Sequence, residues 1–437
     1  SLSNSLLAGG TNSNTNAAWI ASNTSRLPAG AIKVSYDIRS TSVSAGKPVM
    51  VFRILQNGVR RDFNNPAAAT EILDGFMGAP SVYFVYAVAQ DGIAEPADFN
   101  ATASSYLRSL WNGTATGTSA GTLSGPDADG YYTATLTGVT IPTGAKMLTG
   151  GLGYSYNVRS ALPLTQTNLA DYPVVAATAT GLTAGMPNRT GGLIVIAPNV
   201  QRVASGYTGR RPIVEDKRCN ACHQELGTFT EEAFHGGQRN DGSTCAWCHT
   251  PNRTSTGWSA DSTSYVHAIH AGNKRAVPFN WQAASATESF ADIKFPGVLK
   301  DCETCHLPGT FDFRATASAS ALPNRLHRTV GQGIYASTSS TAFRFSPYVA
   351  LDFNYGTGFS FSAATGVGTA AAATTLVNSP ITTACFACHD STLARAHIEI
   401  NGGSVYVPRS TALAKTETCM VCHDVGRIAD IKVMHAK

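Results

Sequence analysis

Ten cysteines occur in this chain, and every one falls in the same short pattern. The five occurrences are CNACH (Cys219, Cys222, His223), CAWCH (Cys245, Cys248, His249), CETCH (Cys302, Cys305, His306), CFACH (Cys385, Cys388, His389) and CMVCH (Cys419, Cys422, His423). C-x-x-C-H is the attachment signature of haem c. Two thiols about one helical turn apart can form thioethers to the two vinyl groups of one porphyrin, and the next residue, histidine, can ligate the iron. Zinc more often uses plain C-x-x-C pairs and does not need a histidine after each. A disulfide framework would leave irregular spacing. The pattern predicts five covalently bound haem c groups, with His223, His249, His306, His389 and His423 as proximal ligands.

Eleven histidines are present, and six lie outside the motifs: His235, His267, His270, His327, His397 and His435. None precedes the first motif. That skew marks most of the six as distal ligands. His267 and His270 are three apart, so a helix places them on one face, where they can serve neighbouring haems. His235 follows the first motif, His397 the fourth and His435 the fifth. Five haems need five distal ligands, and His327, in a Pro- and Arg-containing segment, is the least committed. A distal methionine is the rival ligand. Met420 sits badly for it inside a motif, whereas Met434 stands next to His435.

The elements that must position these groups divide the chain near residue 205. Before the break, short alternating apolar runs at 32–38, 49–55, 82–88, 131–136, 152–158 and 193–196 are separated by Gly, Pro, Asn and Ser. Strands at this spacing predict a β-sandwich or barrel over 31–205, preceded by a polar arm at 1–30. Residues 206–437 are organised by cofactor, with short helices carrying the motifs and much irregular structure between. Phe343, Phe345, Tyr348, Phe353, Tyr355, Phe359 and Phe361 surround Gly356 and Gly358. They read equally as a β-hairpin covering a haem and as an aromatic mini-core. The alanine-rich run 370–375 is a linker candidate.

Several stretches resemble one family, the outer-membrane multihaem cytochromes of metal-respiring bacteria, or OmcA/MtrC family. They are KRCNACHQELGT, FHGGQRNDGSTCAWCHTPNRTSTGWSA, SYVHAIHAGNKR, FPGVLKDCETCHLPGTFDF, SPYVALDFNYGTGFSFSAATG, ACFACHDSTLARAHIEINGG and ETCMVCHDVGRIADIKVMH, covering nearly all of 210–435. IKVSYDIRSTSVSAGKPVMVFRILQNG resembles the family's β-domain more weakly. The resemblance implies a split-barrel-like β-domain, a pentahaem domain, bis-histidine ligation and electron transfer at the cell surface. Its distal positions match His235, His267, His270, His397 and His435. His327 matches nothing and is left as a spare or as a ligand to a neighbouring copy's haem. The usual members hold ten haems, so this chain looks like one half, nearest the carboxy-terminal one. Partners or copies of the chain must then complete the electron path, and copies stacked end to end would form a filament.

Two imidazoles per iron leave no open coordination position. The residues therefore predict an electron carrier and no enzyme, beyond incidental reduction of metals. A pentahaem nitrite reductase is the enzyme alternative, but its catalytic haem typically hangs from a motif ending in lysine. A periplasmic shuttle is the second alternative, and the large β-domain argues against it. Expected partners are redox proteins, further copies and an extracellular acceptor or donor such as a metal oxide. The formal charge of +4 is too small and scattered to argue for nucleic acid. No apolar run approaches the ~20 residues of a membrane helix. No leader pattern or amino-terminal cysteine is seen, so the chain reads as a mature, exported form. Extracellular or outer-membrane placement is expected.

Overall fold

The computed structural model describes residues 32–69, 72–73, 80–153, 163–164, 194–195, 199–222, 241–313, 320–331, 342–349, 360–361, 368–369 and 375–435. The expected arm at 1–30, His223, His235, the Gly356/Gly358 hairpin tip and the alanine-rich run at 370–374 lie outside the described residues.

In chain order the strands of the amino-terminal half are β1 (Ile32–Ser44), β2 (Lys47–Gln56), β3 (Val59–Arg60), β4 (Ser81–Ala87), β5 (Ala101–Tyr106), β6 (Thr122–Ser124), β7 (Tyr132–Thr135), β8 (Met147–Gly153), β9 (Pro163–Leu164), β10 (Ile194–Val195) and β11 (Val200–Val203). One helical turn, α1 (Leu107–Trp111), follows β5. The first sheet has the order β6-β7-β2-β1-β10-β9, with β3 paired to β2, and the second has β11-β8-β4-β5. β1 and β2 form a long hairpin closed by Ala45 and Gly46, both at positive φ. Asn57 and Gly58, also at positive φ, close β2 onto β3. Both pairs meet the backbone demand of a two-residue type I′ turn, whose twist matches that of the strands.

Alternation in β2 turns Met50, Phe52 and Ile54 inward. They join Val34, Tyr36 and Ile38 of β1 and Val82, Phe84, Tyr86, Leu148 and Leu152 of the second sheet in one core. The architecture is the expected all-β sandwich. β4 is buried at every position instead of alternating. Its other face, Tyr83, Val85 and Ala87, packs with Phe99, Met147, Ala246 and Trp247. Trp247 belongs to the second C-x-x-C-H motif, so the strand is covered on both faces, and uniform burial follows. The indole lies 5.1 Å from the Tyr83 ring, and a methyl at Gly151 would overlap it. Truncating a buried indole costs about 3–5 kcal/mol. Trp247→Ala should lower unfolding stability by about that much, read as a shift in the urea midpoint.

The carboxy-terminal half is built from short pieces. Its helices are α2 (Asp216–Asn220), α3 (Ser262–His270), α4 (Pro380–Phe386), α5 (Thr392–Ile400), α6 (Arg409–Leu413), α7 (Met420–His423) and α8 (Ile431–Met434). The hairpin β12 (Thr254–Ser255) with β13 (Trp258–Ser259) precedes α3. β14 (Arg328–Gly331) pairs with β17 (Leu376–Asn378), which pairs with β18 (Val407–Pro408). β15 (Ser360–Phe361) pairs with β16 (Gly368–Thr369). Tyr348 lies 5.3 Å from Phe386, 4.9 Å from Tyr406 and 6.1 Å from Trp258, ring to ring. The described part of the aromatic segment is thus a mini-core, with one short strand pair beside it. Among the described residues no helix is long and apolar enough to cross a membrane.

Candidate haem-binding site

Each motif sits on a helical turn. Cys219 lies on α2, Cys385 on α4 and Cys422 on α7, while Cys245 and Cys302 lie on 3-10 turns. Ring closure follows the same rule in four motifs: the backbone N–H of His249, His306, His389 or His423 donates to the carbonyl of the first cysteine. That turn puts both thiols and the imidazole on one side. None of the ten cysteines is in a disulfide. Burial pushes Cys219 and Cys385 up to about 12 and Cys245 and Cys419 to about 11, so the thiols are neutral.

Three motif histidines face a histidine from elsewhere in the chain. The ring centroids of His306 and His267 are 5.8 Å apart, those of His389 and His435 6.1 Å, and those of His423 and His397 6.1 Å. One iron between two imidazoles, each bonded at about 2 Å, sets the centroids about 6 Å apart. The pairs therefore have the spacing that one shared iron demands. Two of them cross: His397 follows the fourth motif in sequence but faces the fifth, and His435 follows the fifth but faces the fourth. α4 and α7 are tied together by Glu417, which accepts from the N–H groups of Ile381 and Thr382 and the hydroxyls of Ser379 and Thr382. Thr418 donates to the Asn401 carbonyl just past α5. These bonds bring α5 to the fifth motif. Asp430 caps α8 and holds His435 in place from the other side.

The tautomers suit metal binding. The Nδ1 atoms of His249, His270, His423 and His435 lie 2.7, 2.7, 3.0 and 2.9 Å from the carbonyls of Ala260, Val266, Ala429 and Ile431. A carbonyl only accepts, so Nδ1 carries the proton and Nε2 presents its lone pair. His270 shares α3 with His267, as its spacing predicts, and its ring stands edge-on to Phe295. Burial, with His267 and Arg325 beside it, pushes His306 down to about 3 from its ordinary 6.5. His267 and His389 are also lowered, first by burial. The sign follows: unfolded His306 takes a proton near 6.5 and the folded ring does not until about pH 3. Its contribution to stability is complete above about 6.5 and is lost progressively as pH falls toward about 3. Urea midpoints of the haem-free chain should decline across that window, and iron at Nε2 would remove the effect.

The surroundings fit a porphyrin. Among the described residues Trp247 Nε1, Trp281 Nε1, Arg325 Nε and Tyr348 Oη are buried without hydrogen-bond partners. Leu393, His397 and Ile400 share one face of α5, and the two apolar side chains are 83% and 85% exposed. A flat apolar ring over His397 would cover them.

The motifs also have an order in space. The Cys219 thiol feels Cys305 and Cys245, Cys305 feels Cys222, Cys388 feels Cys302, and Cys385 feels Cys419. The sequence of neighbours is second, first, third, fourth, fifth. His327 is elsewhere: its Nδ1 is buried without a partner, and burial lowers its pKa, with Asp91, Arg409 and Glu417 around it.

The β-half is riveted to this assembly, which sequence reasoning missed. Asp98, in the β4–β5 loop, accepts from Arg210 at 3.1 Å, Arg211 at 3.0 Å and Arg328 at 2.8 Å. Arg328 also reaches Asp261, 3.4 Å away, which caps α3 through the Thr263 N–H. Arg409 holds both oxygens of Asp91, at 2.8 and 2.7 Å. The amides of Gln90 and Asn252 pair reciprocally at 2.9 and 2.8 Å. The one hint in the sequence was the DG turn at Asp91 and Gly92, which puts the loop tip at the interface.

Residues 211–436 match the family model for outer membrane cytochrome MtrC/MtrF-like proteins, domains II/IV. The chain belongs to this family. Membership makes it a c-type cytochrome sequence of the OmcA/MtrC group and agrees with the C-x-x-C-H geometry. The crystal structure of MtrC from Shewanella baltica OS185 is similar at 15% identity with a TM-score of 0.44, over 90% of this chain and 51% of that chain. The chain thus spans about half the length of that protein. No curated protein matches it.

Proposed function

We propose that this chain carries electrons, one at a time, along five bis-histidine haems in extracellular electron transfer. The single observation that carries the reading is the set of three histidine pairs at the spacing of one iron. In this reading the ten motif cysteines form the thioethers. His223, His249, His306, His389 and His423 are proximal ligands. His267, His435 and His397 stand opposite His306, His389 and His423, and His235 and His270 serve the first two motifs. Residues 31–205 form the β-domain and 206–437 the cytochrome domain.

A bound haem c of this type takes up and releases single electrons with little rearrangement. The protein's part is to close both axial positions with neutral imidazoles, fix the rings of His249, His270, His423 and His435 through Nδ1, and keep the five sites in register. The order of motifs supports a path with the second and fifth at its ends. Location at the outer surface and exchange with redox partners or a metal oxide belong to the same proposal. A path with two open ends also suits copies joined end to end, and images showing only monomers at high concentration would count against that filament. The reading as a whole is tested by intact mass of the secreted protein. Five covalent haems are expected, and fewer than five would overturn it.

A further inference from the structure

Four guanidiniums gather where the β4–β5 loop meets the cytochrome half: Arg210, Arg211, Arg325 and Arg328. Asp98 and Asp261 are the carboxylates among them. Asp98 bonds Arg210, Arg211 and Arg328, and Asp261 bonds Arg328. Among the described residues four positive charges therefore share two negative ones. Arg325 has no carboxylate partner among the described residues; the side chain is half-buried, with its Nε shielded by protein and without a hydrogen bond. It is held there by the chain on both sides, with Leu326 and Arg328 buried and the Asn324 carbonyl accepting from the β-half's Ala97 N–H at 2.8 Å. A half-buried guanidinium with no carboxylate partner among the described residues calls for an anion at its open end. Arg325 lies within electrostatic reach of both His306 and His267, the facing pair of the third motif, and of Cys385 in the fourth.

We propose that Arg325 is a positioning residue that binds a propionate of the haem attached at Cys302 and Cys305 and raises the reduction potential of that haem. The proposal rests on the haem reading above. Reduction adds one electron to the site, and a cation held in a low-dielectric surround favours the added negative charge. The third motif stands in the middle of the spatial order, so this charge sets the level of the central step.

The test is potentiometry of the holoprotein with each haem followed spectroscopically. Arg325→Gln should lower one potential of the five by about tenfold in the one-electron equilibrium, or about 59 mV. Arg325→Lys, which keeps the charge, should retain most of the wild-type value. Five haems by mass with all five potentials unchanged in Arg325→Gln would overturn the proposal and leave the haem reading standing. Loss of a haem from wild type would sink the haem reading instead. Should Arg325→Gln fail to fold, redox-difference infrared spectra of the unmutated protein with isotope-labelled arginine decide. A guanidinium band that titrates with one haem is expected, and no arginine band with any haem would overturn the proposal.

Discussion

His435→Ala should open the iron of the fourth motif, not the fifth. His435 stands twelve residues beyond His423, yet its ring faces His389 at 6.1 Å. Losing one of two imidazoles turns a low-spin ferric haem into a high-spin one. The variant should therefore show one high-spin haem in five. The assignment is made by removing the fifth attachment site with Cys419→Ser and Cys422→Ser. In that background the high-spin signal should persist, because its haem hangs from Cys385 and Cys388. Its disappearance would mean that His435 serves its own motif and that the crossing is wrong. His397→Ala is the mirror case, and its high-spin signal should vanish with the fifth haem.

Asp98→Ala should cost about 3–5 kcal/mol of stability, the usual cost of removing one partner from a buried ionic cluster. Burial alone would raise the carboxyl's pKa, but attraction from Arg211, Arg210, Arg328 and Arg325 outweighs it and holds the group well below the ordinary range. The alanine variant leaves these cations facing one another and Asp261 only. Asp98→Asn keeps the shape and loses the charge, so it should fall between. Urea midpoints at neutral pH measure both. The damage should also reach α3, because Arg328 links Asp98 to the Asp261 cap of the helix that carries His267. A midpoint unchanged in Asp98→Ala would mean that the β-half rests on the Trp247 contact and on the Asp91–Arg409 and Gln90–Asn252 pairs instead.

The motifs and the six spare histidines were legible because chemistry fixes their type and spacing. The pairing was not, since it depends on which helices Glu417 and Asp430 bring together. β1, β2 and β7 follow from alternating apolar residues, and β4 from a continuous apolar run. Of the run expected at 152–158 the described residues, 152 and 153, end β8, whose earlier part was missed because Gly150, Gly151 and Gly153 read as turn residues. Their reason is tertiary: side chains at these positions would strike Met50 and Thr41, Trp247, or Asn199. β5, with the sequence ATASSY, has no strong pattern, because small residues there pack against β4. Trp247 gave no signal of its own, as the two positions between the cysteines of such a motif are not fixed by haem attachment.

The central claim is that both axial faces of every iron are occupied by imidazole. Electron paramagnetic resonance of the oxidised protein, quantified against its iron content, tests it most directly. The account predicts low-spin ferric signals that sum to five per chain and no high-spin component. A high-spin signal approaching one iron per chain would contradict it and return an open, substrate-binding site to consideration.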